Sequence, residues 1–298
     1  MKKIKTAVLT GGSSYIGRHV TKQLHLNGWK VIHLVRKKLK KKNNSSIIYL
    51  KIDKQFLLAS KLNKLNRKKT VFIHLASYTS TKKEIKNLDN YVNSNVKLGT
   101  TLLSFMHKYK FKKLIVSESY WQFDQQGNLG GNNLYSLTKS FLSMIVKYFA
   151  MNYKFSVYCL VLFDIYGPND ERKKILNTII NSKGKMSKIN LTPGEQIIDY
   201  TFIDDVAKAF VKFSNKMLAE KESMFVRNTI RSMCAKTFKD YIKILEKVSN
   251  YRFKIKWGGK KYPKNQIMRP WLPNSKWLLK SWSPKNSFEY NIKKMLNK

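Results

Sequence analysis

Over its first 165 residues the chain alternates short, apolar, β-branched runs with longer stretches of helical periodicity, and that alternation permits few folds. Runs that stay apolar along their whole length are buried on both faces, the condition of a parallel sheet covered by crossover helices. Strands are expected at Thr6–Thr10, Val31–Val35, Ile47–Ile52, Val71–Leu75, Leu114–Ser117 and Val157–Phe163, with helices at Tyr15–Asn27, Tyr91–Tyr109 and Leu134–Asn152. Six parallel strands with right-handed crossovers make a doubly wound α/β fold of the Rossmann-like type. After Tyr166 the alternation stops. A strand at Ile197–Phe202, a helix opening at Asp204 or Asp205, a strand near Phe225–Ile230 and a helix from Phe238 to Val248 capped by Thr237 then suggest a smaller lobe. The expected division is a dinucleotide-binding domain over 1–165 and an interleaved substrate-binding lobe over 166–298, with part of 195–235 packing back on the first domain.

The segment AVLTGGSSYIGRHV sets a glycine-rich turn between the first strand and the first helix. Gly11 permits the tight turn and Gly17 lets helix and strand approach, so the helix N-terminus can offer N–H groups and a positive dipole end to a pyrophosphate. Gly11, Ser14, Tyr15, Ile16 and Gly17 are the cofactor candidates here. Ser14 stands where the TGxxGxxG pattern has glycine, which makes the middle backbone approach less close. Arg36 follows the second strand, where an acid would hold the adenosine ribose hydroxyls and an arginine accommodates the extra phosphate of NADP. NADP(H) is therefore favoured, with NAD(H) the alternative. Asp53, after the third strand, is a candidate for the adenine side or a surface acid.

Tyr135 and Lys139 in NNLYSLTKSF are one helical turn apart and share a face. A tyrosine of pKa near ~10 is a poor acid or base at neutral pH unless a cation favours its phenolate, and an ammonium one turn away could do so. Ser119, at the carboxyl edge of the fifth strand, could orient a substrate carbonyl; Ser117 is the alternative. Glu118 between them reads as polar decoration of the strand end, or as a supporting group. Arg269 is a candidate for a diphosphate, because a guanidinium contacts two oxygens at once. Tyr78, Ser119, Arg172 and Arg269 form the substrate-side set. Among the late aromatics, Trp271 and Trp277 could line the same site, and Trp282 is expected to pack structurally.

With 59 Lys and Arg against 17 Asp and Glu, the formal charge is +42. The basic residues are spread along the chain, as expected of solvated lysine faces, and do not by themselves indicate a nucleic-acid partner. They would attract an anionic substrate. Two cysteines and five histidines show no metal-ligand spacing, so no metal site is expected. No stretch approaches the roughly 20 apolar residues of a membrane span, and no signal peptide is evident, so a cytoplasmic location is expected.

In the order TGGSSYIG, IHLAS, NSNVKLGT, SES, YSLTK, LVLFDIYGP, YTFIDDVAKA and SWSPKNSFEYNIKKM, the chain resembles the extended short-chain dehydrogenase/reductase family, also called the NAD-dependent epimerase/dehydratase family, over nearly its whole length. SYWQF, NNLYSLTK and LFDIYGPND look most like its branch of CDP-4-keto-3,6-dideoxyhexose reductases. The resemblance implies Ser119, Tyr135 and Lys139 as catalytic residues, with Ala76, Ser77 and Asn95 beside the cofactor. It also implies that Tyr166, Gly167 and Pro168 face the nicotinamide and substrate. The implied activity is NADPH-dependent reduction of the 4-keto group of a nucleotide-linked deoxysugar, of the kind that feeds surface polysaccharide. A nucleotide-diphosphate sugar is the implied partner, and a homodimer is compatible with it. The alternatives are a 4-epimerase with tightly bound NAD, and a non-catalytic Rossmann-fold protein that binds polyanions. Many relatives carry arginine at the positions of Val161 and Ile198 and histidine at that of Phe202. Dehydratases carry an Asp-Glu pair where this chain has Tyr120 and Trp121, which disfavours water elimination.

Overall fold

A computed structural model of the chain describes residues 4–35, 47–51, 62–80, 85–271 and 282–297. Its centre is a seven-stranded parallel sheet of β1 (Lys5–Thr10), β2 (Trp29–Val35), β3 (Ile47–Lys51), β4 (Thr70–His74), β5 (Lys113–Ser119), β6 (Ser156–Leu162) and β7 (Met224–Ile230). The order across the sheet is β7-β6-β5-β4-β1-β2-β3. β1 pairs with β2 on one side (Ala7 opposite Val31) and with β4 on the other (Ala7 opposite Val71). The winding therefore reverses between β1 and β4, and a crevice opens at their carboxyl ends. Six of the seven strands were expected in the first region; the seventh arrives from after residue 220, and the parallel register Cys159 opposite Arg227 seats it beside β6.

Alternating strand residues feed two cores. Ala7, Leu9, Val71, Ile73 and Ile115 face α1 (Tyr15–Leu26) and a helix opened by Asp204 and Asp205, Ile203–Ala219; Val8, Phe72, Leu114 and Val116 face the other side of the sheet. There they meet α2 (Leu98–Lys108) and α3 (Leu134–Tyr153). Trp282 packs against the first of these cores. The long helix expected over Tyr91–Tyr109 has a different construction. A short α-turn, Leu88–Tyr91, runs into a π-helix, Val92–Lys97, before α2 begins. The wider turn re-aims the side chains it carries, Asn95 among them.

A third core, around Tyr166, Leu176, Tyr200, Phe202, Tyr241 and Phe288, gathers the second region. It includes Phe238–Ser249, whose Thr237 cap accepts from the Asp240 N–H. The single strand expected over Ile197–Phe202 is two. Ile197–Ile198 pairs antiparallel with Lys236–Thr237, and Tyr200–Phe202 pairs parallel with Asp164–Tyr166. Asp199 separates them, because its buried carboxylate accepts from the Arg231 guanidinium at 3.1 Å and the Ser232 N–H at 2.6 Å. Val161 and Phe202 are apolar fill, the first against Tyr120 and Phe163 and the second against Tyr166. Among the described residues no helix is long and apolar enough to cross a membrane, and no group of His, Cys, Asp and Glu could hold a metal ion.

Candidate active site

The turn after β1 is built for close approach. Gly11 has φ +72°, and a Cβ on it would lie 2.6 Å from the Ala76 nitrogen; one on Gly17 would lie 2.2 Å from the Gly11 carbonyl oxygen. Ser14 does more than replace a glycine. It is the N-cap of α1, its hydroxyl accepting from the Gly17 N–H at 3.1 Å. Gly12, to which the sequence drew no attention, lies against the His33 ring, where a Cβ would come within 2.6 Å. No acidic residue occupies the first turn of α1. Exposed Ser13 and Ser14 at a positive helix end thus fit an anionic diphosphate. Tyr15 turns away from that end: its hydroxyl donates to the Pro168 carbonyl at 3.2 Å and its ring carries the Arg172 guanidinium 4.5 Å from its centroid. Ile16 packs partly buried on the core. Arg36 and Asp53 lie outside the described residues.

Ala76, Ser77 and Tyr78 follow β4 across the crevice. The Ala76 N–H donates to Thr10 Oγ1 at 3.4 Å, so this segment is tied to the end of β1. Asn95, buried in the π-helix, accepts from the Tyr78 N–H at 2.6 Å and donates to the Tyr78 carbonyl and to Thr138 Oγ1, each at 3.0 Å. It braces the segment against α3. The Tyr78 hydroxyl donates to Asn87 and its ring meets Tyr91 edge-on.

Ser119 ends β5 and caps the short turn Tyr120–Gln122. Its N–H donates to Gln122 Oε1 at 2.8 Å, and its hydroxyl accepts from the Trp121 N–H. Gln122 therefore fixes the backbone of Ser119, a role that no sequence motif announced. Across the cleft, Asn133 caps α3 by accepting from the Ser136 N–H, which sets Tyr135 in the first helical turn. The Tyr135 hydroxyl faces the hydroxyls of Ser119 and Ser77, and both act to lower its pKa. Ser117 points elsewhere, its hydroxyl donating to the His74 carbonyl. Of the two serines, Ser119 is the one beside Tyr135.

Lys139 is buried and donates to the Ser117 carbonyl at 2.8 Å, its Nζ lying 5.9 Å from the Tyr135 ring centroid. Burial brings its pKa from 10.5 down to about 8, against the opposing charge of Glu118. The expectation that Lys139 acidifies Tyr135 needs correction, because the ammonium is not among the groups that lower the Tyr135 pKa. Burial raises the Tyr135 pKa, and what opposes the rise is the Ser119 and Ser77 hydroxyls and the charge of Arg172; the ammonium is engaged with a carbonyl instead. Two further corrections follow. Glu118 is no strand-end decoration but a buried carboxylate paired with Arg227 at 2.9 Å. The Tyr166 ring does not face the cleft; it packs against Tyr200, Phe202 and Phe288, because the third core needs its area. The backbone beyond it does approach, Gly167 lying against Tyr15 and Ile203.

Beside Ser119 lies a cavity of about 680 Å³, walled by the loop from Tyr120 to Asn132 and by Gln266 to Trp271. Arg269 is exposed on its wall, and Phe123 stacks obliquely on Trp271 at 4.7 Å. Arg172 is outside this wall, held by two 2.7 Å bonds to Asp170. The Tyr120 hydroxyl donates to Asp164 at 2.8 Å and its ring stacks on Phe163, so it offers no acid or base to the cavity.

A parallel sheet with its switch point at a glycine-rich turn, and a serine, tyrosine and lysine converging beside it, define a dinucleotide-binding α/β protein. The model of the NAD dependent epimerase/dehydratase family matches residues 7–226. The chain belongs to that family, and with it to the NAD(P)-dependent enzymes that act on nucleotide-linked sugars. It is 27% identical over 267 residues to a CDP-abequose synthase of Yersinia pseudotuberculosis, covering 88% of this chain and 90% of that protein. Its fold is similar to that of the UDP-glucose 4-epimerase of Thermotoga maritima solved with UDP-glucose, with a TM-score of 0.81, 21% identity and coverage of 98% and 97% of the two chains. The UDP-glucose 4-epimerase of Thermus thermophilus, solved with NAD, has a TM-score of 0.79, 16% identity and 98% coverage of each chain.

Proposed function

We propose that the chain is a cytoplasmic reductase that uses NADPH to convert the 4-keto group of a nucleotide-linked deoxysugar to a hydroxyl. The observation that carries this is the juxtaposition of Tyr135 and Ser119 at the carboxyl edge of the sheet, next to a cavity large enough for a sugar nucleotide. Gly11, Gly12, Ser14 and Gly17 would receive the cofactor diphosphate, and Ala76 with Ser77 would flank its nicotinamide half. When bound, the dihydronicotinamide supplies the hydride. Ser119 holds the carbonyl oxygen, and Tyr135 gives that oxygen its proton as the new C–H bond forms. A phenol kept protonated by burial is in the right state for this donation. Lys139, fixed by Ser117, presents a cation that favours the phenolate left behind.

The bases that follow β2 in the sequence, Arg36, Lys37 and Lys38, support NADP over NAD. Arg269 on the cavity wall suits the substrate diphosphate, with residues 166–298 supplying much of the substrate side. The 27% identity with a CDP-abequose synthase supports a CDP-sugar. An exposed apolar stripe on α3, Phe141, Met144, Tyr148 and Met151, supports a homodimer, which light scattering measures directly. The test of function is a panel of CDP-, dTDP-, UDP- and GDP-4-ketosugars with NADPH and NADH. Stoichiometric NADPH oxidation on one of them is expected. Tightly co-purified NAD(H), with interconversion of 4-hydroxy epimers and no net oxidation, would establish the 4-epimerase instead.

A further inference from the structure

We propose that buried Glu118 and half-buried Arg227 form a positioning pair that holds the helix bearing Tyr135 and Lys139 in register with the strand bearing Ser119. The proposal rests on the reduction set out above.

Tyr135, Lys139 and Ser143 recur at four-residue spacing along α3, and each faces the end of β5. Tyr135 meets the Ser119 hydroxyl, Lys139 meets the Ser117 carbonyl, and Ser143 donates to the Glu118 carboxylate. The first two involve groups assigned above to the reaction itself. The third lies below the cleft, where Glu118 is 3% exposed and Ser143 2%, so it can serve as the fixed point.

Arg227 completes it from another strand. Its side chain reaches from β7 across β6, donating from Nε to Glu118 at 2.9 Å and from Nη2 to Ser143 Oγ at 2.6 Å. The Cys159 thiol on β6 also faces Glu118, whose charge helps hold the thiol protonated. A buried carboxylate with this many partners is satisfied; one stripped of its cation is not. The guanidinium also lies 5.7 Å from the centroid of Phe123, which walls the cavity. Glu118 is faced by Ser143 and Lys139 from α3, Arg227 from β7 and Cys159 from β6. Lys139 is faced by Glu118 from β5, Cys159 from β6 and His74 from β4, with Tyr135 on its own helix. Of these, Glu118 is the strongest support for the charge on Lys139.

Full-length wild type and Glu118→Gln are compared for NADPH oxidation with the preferred ketosugar nucleotide across a pH series. Expected for Glu118→Gln are a KM within about twofold, a kcat lower by about tenfold or more, and an alkaline limb that begins about one pH unit lower. Arg227→Lys keeps a cation and Glu118 but cannot hold Glu118 and Ser143 together, and should leave the limb near that of the wild type while lowering kcat. If the single variant fails to fold, Glu118→Gln/Arg227→Met removes both charges and should keep the displaced limb. A limb that coincides with wild type, or a loss confined to KM, overturns the proposal. Absence of turnover in the wild type overturns the reduction and the proposal with it, whereas turnover with an unmoved limb overturns the positioning role alone.

Discussion

The Lys139 ammonium and the Ser117 carbonyl are bonded at 2.8 Å, which fixes a buried cation beneath the Ser119–Tyr135 pair without pointing it at the phenol. The tyrosine therefore remains an acid, and the lysine is the group that titrates first.

Tyr135→Phe removes the proton donor and leaves the ring in place. Turnover should fall by about 100-fold or more, with the thermal midpoint near that of the wild type. Steady-state NADPH oxidation and a melting curve on the same preparation check this.

The Lys139 pKa of about 8 places the alkaline limb of kcat/KM near that pH. Stability moves the other way. Between about 8 and 10.5 the unfolded chain keeps the lysine proton and the folded chain has lost it, so the Lys139 contribution to stability grows as pH climbs through this window. Lys139→Met should abolish the activity and flatten that part of the stability profile, read by denaturant melts at pH 8 and pH 10 (about the ends of the window).

His74 is buried, bonded through Nδ1 to Thr10 Oγ1 at 2.8 Å, and its pKa is lowered from 6.5 to about 3 by burial and by Lys139. Below 6.5 the unfolded chain binds a proton that the folded chain refuses, so stability falls as pH drops from 6.5 toward 3. His74→Gln should weaken this acid sensitivity, seen as a smaller difference between melting midpoints at pH 5 and pH 7 (about the steep part of the curve).

Arg269→Ala should raise the KM for the sugar nucleotide by about tenfold, with kcat changed far less. The increase should shrink as salt is added to the wild type, since the same charge is then screened. Initial rates at two ionic strengths decide it.

Much of the sheet could be read from the sequence because its strands are buried on both faces, so Val71 to His74 or Val157 to Leu162 admit no helical stripe. Tyr135 and Lys139 share a face for the same local reason, a helix of fixed pitch. What escaped depends on distant partners. Glu118 and Arg227 are 109 positions apart, and nothing near either one signals the other. The break at Asp199 is decided by Arg231 and Ser232, and the burial of Tyr166 by rings from two other segments. The π-turn around Asn95 carries no residue type of its own. It shows only in which backbone that amide clasps.

β6 is buried along its entire length, and one of its two neighbours is β7, whose residues are synthesised only after the start of the substrate side. A nascent chain that has emerged only as far as Leu162 presents an uncovered apolar ribbon with unpaired amides, the kind of edge that invites aggregation. Completion of the sheet must wait until Ile230 has left the ribosome. Cutting the molecule between its two halves would therefore yield a sticky fragment in place of an independent cofactor-binding module.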